Sequence, residues 1–189
     1  MGLFDMTGQK VGICRPAADD CDDFIRMVCS SRELHYPWVE PPSTPEQYAA
    51  YLQTRSGLAD DGFLVCEIAS GAIAGVINLN CIVRGHFQSA YLGYYASAAL
   101  ARRGLMTEGM RLVTQYAFKE LGLHRVEANI QPANIASIAL VKKCGFQLEG
   151  FSPRYLMVAG EWRVIDGAPV GIDLEALMAH HREAARAFA

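Results

Sequence analysis

Two strand-to-helix junctions, about thirty residues apart in the second half of the chain, constrain its fold more than any other feature. The apolar, β-prone run Ala90–Ala96 breaks into the small and basic segment Ala98–Gly104, and a helical pattern follows at once. The second junction is Gln131-Pro132-Ala133-Asn134-Ile135-Ala136-Ser137, again with a helix behind it. A glycine-opened helix start presents several unpaired backbone N–H groups and the positive end of the helix dipole, which an anionic pyrophosphate needs. Gly104 permits the tight turn, and Arg102 and Arg103 add positive charge at its mouth. Two such junctions side by side suggest a bound cofactor with a phosphorylated end and a reactive end.

The remaining segments supply hairpins and helices to that frame. Lys10–Cys14 is a short strand ended by Arg15-Pro16. Asp19 or Asp20 can cap a helix through Phe24, Ile25 and Val28, with Leu34 as its furthest extent. Tyr36 to Pro45 carries four prolines, which exclude helix and central strand and leave a loop. Thr44-Pro45-Glu46 reads as a cap with proline at the first helical position, opening a helix to about Arg55. Gly62–Ala69 and Ala72–Arg84 are strands joined by the hairpin signal Ser70-Gly71, and Gln88–Ala96 is a third. The long helix spans roughly 107–121, with Met106, Met110, Val113, Ala117 and Leu121 on one face and Gly122 at its end. Arg125–Ile130 is a strand, and Asn134–Cys144 a helix closed by Gly145. Phe151, Arg154–Val158 and about Val164–Ile172 supply late strands, and Asp173 can cap a final helix over 174–188. Hairpins first and βαβ units later define an α/β fold with a central mixed sheet flanked by helices, in one domain over residues 1–189.

Composition removes several function classes. A net charge of −3 gives no basic surface for nucleic acid. The six cysteines form no Cys-x-x-Cys pair, so neither a zinc site nor a compact disulfide framework is implied. The N-terminus shows no apolar secretory core and no run of eighteen apolar residues occurs, so a cytoplasmic protein without a membrane span is expected.

The second junction carries the sharper motif. Asn134 is an N-cap residue, and Ser137 and Val141 follow it on nearly the same helical face. Asn134, Ser137, Leu140, Lys143, Gly145 and Phe146 match the pattern Asn-x-x-Ser-x-x-Leu-x-x-(basic)-x-Gly-Phe of the GNAT superfamily of acetyl-CoA-dependent N-acetyltransferases. Ala101–Met106 aligns with that family's pyrophosphate motif Gln/Arg-x-x-Gly-x-Gly/Ala, keeping Gly104 but departing from it at Ala101 and Met106. Val83-Arg84-Gly85-His86-Phe87, Tyr91–Tyr94, Gly104-Leu105-Met106-x-Glu108, His124-Arg125 and Gly160-x-Trp162-Arg163 are similar to the ribosomal-protein-alanine (RimJ/RimL) branch.

The resemblance implies a splayed sheet, with the strand Leu92–Ala96 pairing with the pantetheine arm and diverging from Arg125–Ile130. Acetyl-CoA would then be held by Tyr94, Tyr95 and Ala96, by Ala101, Arg102, Arg103, Gly104, Leu105, Met106 and Thr107, and by Asn134 and Ser137. Free backbone N–H groups would polarise the thioester carbonyl, an effect worth about 2.7–4 kcal/mol where such donors have been removed elsewhere. The amine attacks directly, so Cys81 and Cys144 read as core thiols, and no metal is required. Many family members place a tyrosine seven residues after the Asn to protonate the leaving thiolate; Val141 stands there, and Ser137 is the hydroxyl that remains on that face. Serine in a first helical turn is also an ordinary structural choice.

For the base, Glu127, Glu40 and Asp166 are candidates, though each reads more readily as a solvated or paired carboxylate; Val164 occupies the place where the family often carries Asp. An α-amine has a pKa of about 7.7–8.0, so a fair fraction is neutral near pH 7.5 and a water chain could suffice. Tyr36, Trp38 and Glu40 either line the acceptor pocket or pin the proline loop, His124 is structural, and His180-His181 diverge too far on a helix to share a metal. The expected acceptor is a protein N-terminal α-amine, a ribosomal protein first. A small amine (polyamine, amino acid or aminoglycoside) and a non-catalytic acyl-CoA-binding module are the alternatives. The last helix could pack on its own domain or on a second copy in a homodimer.

Overall fold

The computed structural model describes residues 4–55 and 59–150, with the backbone of 163–165 and 168–170. The chain forms two compact units, Met1–Phe146 and Gln147–Ala189. In the second, Arg163–Ile165 and Ala168–Val170 pair as an antiparallel hairpin, within the late-strand region the sequence indicates. Phe151, the strand expected over 154–158, Asp166 and the helix expected over 174–188 lie outside the described residues.

The first unit is a six-stranded mixed sheet in chain order: β1 (Met6–Thr7), β2 (Val11–Cys14), β3 (Asp61–Glu67), β4 (Ile73–Val83), β5 (Ser89–Ala96) and β6 (Arg125–Glu127). All neighbours are antiparallel except β5 and β6, which are parallel and joined through the crossover helix α4 (Leu105–Lys119). β3 is buried along its whole length because both of its faces are covered, which explains its unbroken apolar run. On one side Phe63, Val65, Ile77, Leu79 and Leu92 pack with Met110, Val113 and Ala117 of α4. On the other, Leu64, Val76 and Tyr95 pack with Phe24 and Val28 of α1 (Cys21–Cys29) and Tyr48 and Tyr51 of α3 (Pro45–Thr54). Gly109 lets α4 lie close to the sheet: a Cβ there would stand 2.6 Å from Val65 Cγ1. Arg15 braces the far edge by bonding Asp61 (2.7 Å) and the Tyr116 hydroxyl (2.8 Å), which ties β2 to β3 and α4.

Three expectations change. The first helix does not run to Leu34: α1 stops at Cys29 and a separate turn, α2 (Arg32–His35), follows. Ser30 and Ser31 lie at the break, where Ser30 Oγ bonds back to the Met27 carbonyl and Ser31 Oγ accepts the N–H of Ala98. Such side-chain bonds compete with helix propagation. β6 ends at Glu127 rather than Ile130, because its ladder with β5 finishes at the pair Tyr91 and Glu127. Cys81 is exposed rather than a core thiol, since the register of β4 against β5 shifts after Asn80 and turns it outward with φ at 51°. The two-residue β1 is too short for any periodicity to reveal.

Candidate active site

The early end of β6 leaves half of β5 with a free edge. Ser97 donates to the Ala74 carbonyl at 2.8 Å, which sets the phase of the β4–β5 ladder. Alternation along an antiparallel pair then turns Tyr95 and Gly93 toward β4, and Leu92, Tyr94 and Ala96 toward the opposite edge. β6 covers that edge only as far as its pairing with Tyr91. Among the described residues the Tyr94 N–H and C=O and the Ala96 N–H are therefore open to an extended ligand, while the Ala96 carbonyl is bonded by His35 Nε2 at 2.9 Å. Tyr95 faces the other way. Its backbone pairs with Val76, and its buried ring meets Phe24 and His35 edge-on, so of this group Tyr94 and Ala96 present backbone to the edge.

β5 leads into the start of α4. Gly104 is the N-cap with φ at 80°, a conformation a β-carbon would strain, and no side chain caps the helix. The N–H groups of Leu105, Met106 and Thr107 have no partner among the described residues, and the first intrahelical bond runs from Glu108 N to Gly104 O at 3.1 Å. Beside them opens a cleft of about 680 Å³, lined by Gly104, Thr107, Glu108, Arg111 and the turn through Gln9 and Lys10. The Glu108 carboxylate accepts the backbone N–H groups of Gln9 and Lys10, the latter at 2.9 Å. Arg103 does not stand free at the mouth. It is ion-paired with Glu67, which is almost buried, and so anchors the turn to the end of β3. Arg102 is exposed, with no ion pair among the described residues.

The second junction is built differently. Asn134 Oδ1 accepts the N–H of Ser137 at 3.1 Å, capping α5 (Ile135–Lys143). The far end of α5 docks on the start of α4: Arg111 bonds the Lys143 carbonyl at 2.9 Å, and Cys144 Sγ donates to the Thr107 carbonyl at 3.6 Å. Burial pushes the Cys144 thiol above its usual range, consistent with a packing role. The hydroxyls of Tyr94 and Ser137 are neighbours. Burial raises the Tyr94 phenol and Ser137 opposes that shift, while Tyr94 Oη completes no full hydrogen bond. Ser137 is half-buried and Val141 is buried in the helix–sheet core.

Glu127 is the last paired residue of β6, and its carboxylate is held by Arg125 Nε at 2.6 Å, which engages it as an ion-pair partner. Tyr36 and Glu40 are exposed and Trp38 is half-buried, all on the loop behind α2. Sequence reasoning missed Ser31 and His35. They follow Val28 at helical spacing, so a buried polar pair could have been read from the stripe 28, 31, 35.

Residues 11–147 match the acetyltransferase (GNAT) domain. The alanine N-acetyltransferase of ribosomal protein uS5 from Escherichia coli is 37% identical over 141 residues, covering 70% of this chain and 73% of that one. A probable N-acetyltransferase of Bacillus subtilis, YjcK, is 41% identical over 100 residues, and this chain spans about half of it, 55%. Among solved structures, a ribosomal-protein-S5-alanine acetyltransferase from Vibrio fischeri superposes with a TM-score of 0.71 at 23% identity, covering 84% of this chain and 91% of that one. With the domain match spanning most of the chain, and a relative of this identity covering more than two thirds of it, the chain belongs to the GNAT acetyltransferase family.

Proposed function

We propose that this chain transfers the acetyl group of acetyl-CoA to the N-terminal α-amine of a protein, with a ribosomal protein as the favoured acceptor. The observation that carries the reading is the succession of backbone groups at Tyr94, Ala96 and Leu105–Thr107 that have no partner among the described residues. Acetyl-CoA supplies an activated thioester, an amide-bearing arm and an anionic tail. The helix start suits the anion, and the open edge of β5 suits the arm. The Tyr94 N–H can donate to charge developing on the carbonyl oxygen as the amine attacks. Ser137, beside Tyr94, is the hydroxyl placed to donate to the departing thiolate. Glu127 is engaged by Arg125, so the neutral fraction of an ordinary α-amine, pKa about 7.7–8.0, is the nucleophile this reading uses.

A protein acceptor is supported by the name of the Escherichia coli relative. Incubation with acetyl-CoA and peptides beginning with Ala or Ser, beside polyamines, amino acids and aminoglycosides, should release free thiol with the peptides. Thiol release only with a small amine would move the acceptor to that class. Tight acetyl-CoA binding with turnover on no amine would make the chain a binding module.

A further inference from the structure

We propose that His35 is a positioning residue that links the acceptor-side loop to the open edge of β5, so that occupancy of that edge is felt at Trp38. The inference rests on the acetyl-transfer reading of that edge.

The His35 side chain is 4% exposed and spans two elements. Its Nε2 lies 2.9 Å from the Ala96 carbonyl oxygen. A carbonyl can only accept, so Nε2 carries the proton and donates. Nδ1 is buried without a partner among the described residues, which leaves this bond as the ring's one polar attachment there, supported by an edge contact with Tyr95 at 5.5 Å. Four residues earlier, Ser31 Oγ accepts the Ala98 N–H at 2.9 Å. These two side chains grip the backbone on either side of Ser97, whose own N–H is bound to Ala74. The main chain of His35 holds the loop: its carbonyl accepts the N–H of Trp38 at 2.8 Å and of Val39 at 3.0 Å.

Two consequences follow for the edge. An uncapped Ala96 carbonyl would place the negative end of a peptide dipole beside the path of the acyl group; with His35 bonded to it, the Tyr94 and Ala96 N–H donors dominate the open stretch. A ligand that pairs with the Ala96 N–H bears on the residue whose carbonyl His35 holds, and any adjustment there reaches the first turn of the loop through a single residue.

The chain has two tryptophans, so a Trp162→Phe background reports Trp38 alone. Acetyl-CoA affinity by calorimetry and Trp38 emission are measured in that background and with H35Q, H35N and H35L added. A glutamine amide reaches about as far as Nε2, whereas an asparagine amide stops near the Nδ1 position. The expected result is an acetyl-CoA-dependent Trp38 shift in the background and in H35Q, lost in H35N and H35L while the dissociation constant stays within about threefold. On an N-terminal alanine peptide, H35N should raise the peptide KM about tenfold, and H35Q should restore it. Binding with no Trp38 shift in the background, an unchanged shift in H35N and H35L, or equal loss in H35Q overturns the coupling alone. Absence of calorimetric binding in the background overturns the acetyl-CoA reading, and the coupling with it.

Discussion

The two helix starts that follow β5 and β6 look alike in sequence and are opposites in structure. At α4, the glycine N-cap leaves the N–H groups of Leu105, Met106 and Thr107 all unpartnered among the described residues. At α5, Asn134 Oδ1 takes the N–H of Ser137 and the Ala133 carbonyl takes that of Ile135, so the Ala136 N–H alone is left. One start is open among the described residues, and the other is closed by its own side chain. An unsatisfied helix terminus costs stability, and a chain keeps one where a ligand completes it. On the proposed reading, the difference gives α4 the binding role and α5 the positioning role, with Ser137 next to Tyr94.

The largest effect should come from closing the open start. Gly104→Asp brings a carboxylate to the helix start that can occupy its N–H groups and repel phosphate. Acetyl-CoA affinity should fall more than about a hundredfold by calorimetry, because the charge-assisted bonds at the terminus are lost together. Gly104→Ala is the control. Its Cβ would meet nothing within 4 Å, so only the left-handed backbone resists it, at about 1–2 kcal/mol of folding stability. If the alanine variant loses binding as completely as the aspartate, charge and capping are not what distinguish the two starts.

A smaller effect belongs to the closed start. Ser137→Ala keeps the backbone N–H that Asn134 caps and removes only the hydroxyl. The expected outcome is a drop in kcat of about a hundredfold, the low end for a lost proton donor, with acetyl-CoA affinity nearly unchanged. A loss seen in affinity rather than in rate would make Ser137 a ligand contact and bring the two junctions closer in role.

How much of this was legible in the sequence depends on which physical signal each part leaves. The hairpin through Ser70-Gly71, the proline loop, the Thr44 cap and the crossover helix each have a local signature, and each is where the pattern puts it. The end of β6 has none: residues 128–130 look as strand-like as 125–127, and only the divergence from β5 decides that pairing stops. Charge was the least legible part of the site. Arg103 and Glu127 were expected at the site, but both are engaged, by Glu67 and Arg125, through contacts that separation along the chain does not announce for Arg103. Ser31 and His35 left a readable stripe with Val28, but nothing in the chain announces their partner, the end of β5, which only the fold brings against them.

The smallest predicted effect tests whether Asn134 is a cap or a ligand contact. Its Oδ1 is engaged with the Ser137 N–H, and its side-chain NH₂ is the donor it can offer a ligand. As a cap, its removal in Asn134→Ala should cost about 1 kcal/mol of stability in urea unfolding, and Asn134→Gly only a few tenths, since glycine tolerates the cap position. Acetyl-CoA affinity should change by no more than a few-fold in either, and kcat should fall only as far as a frayed first turn lets Ser137 drift from Tyr94. The Ala and Gly variants then rank by stability with rate following in the same order. A ligand role gives a different ordering: both variants lose the same NH₂ group, so both lose affinity equally whatever their stability. Equal affinity losses in the two would show that α5 meets the ligand directly, and the division between an open and a closed helix start would no longer hold.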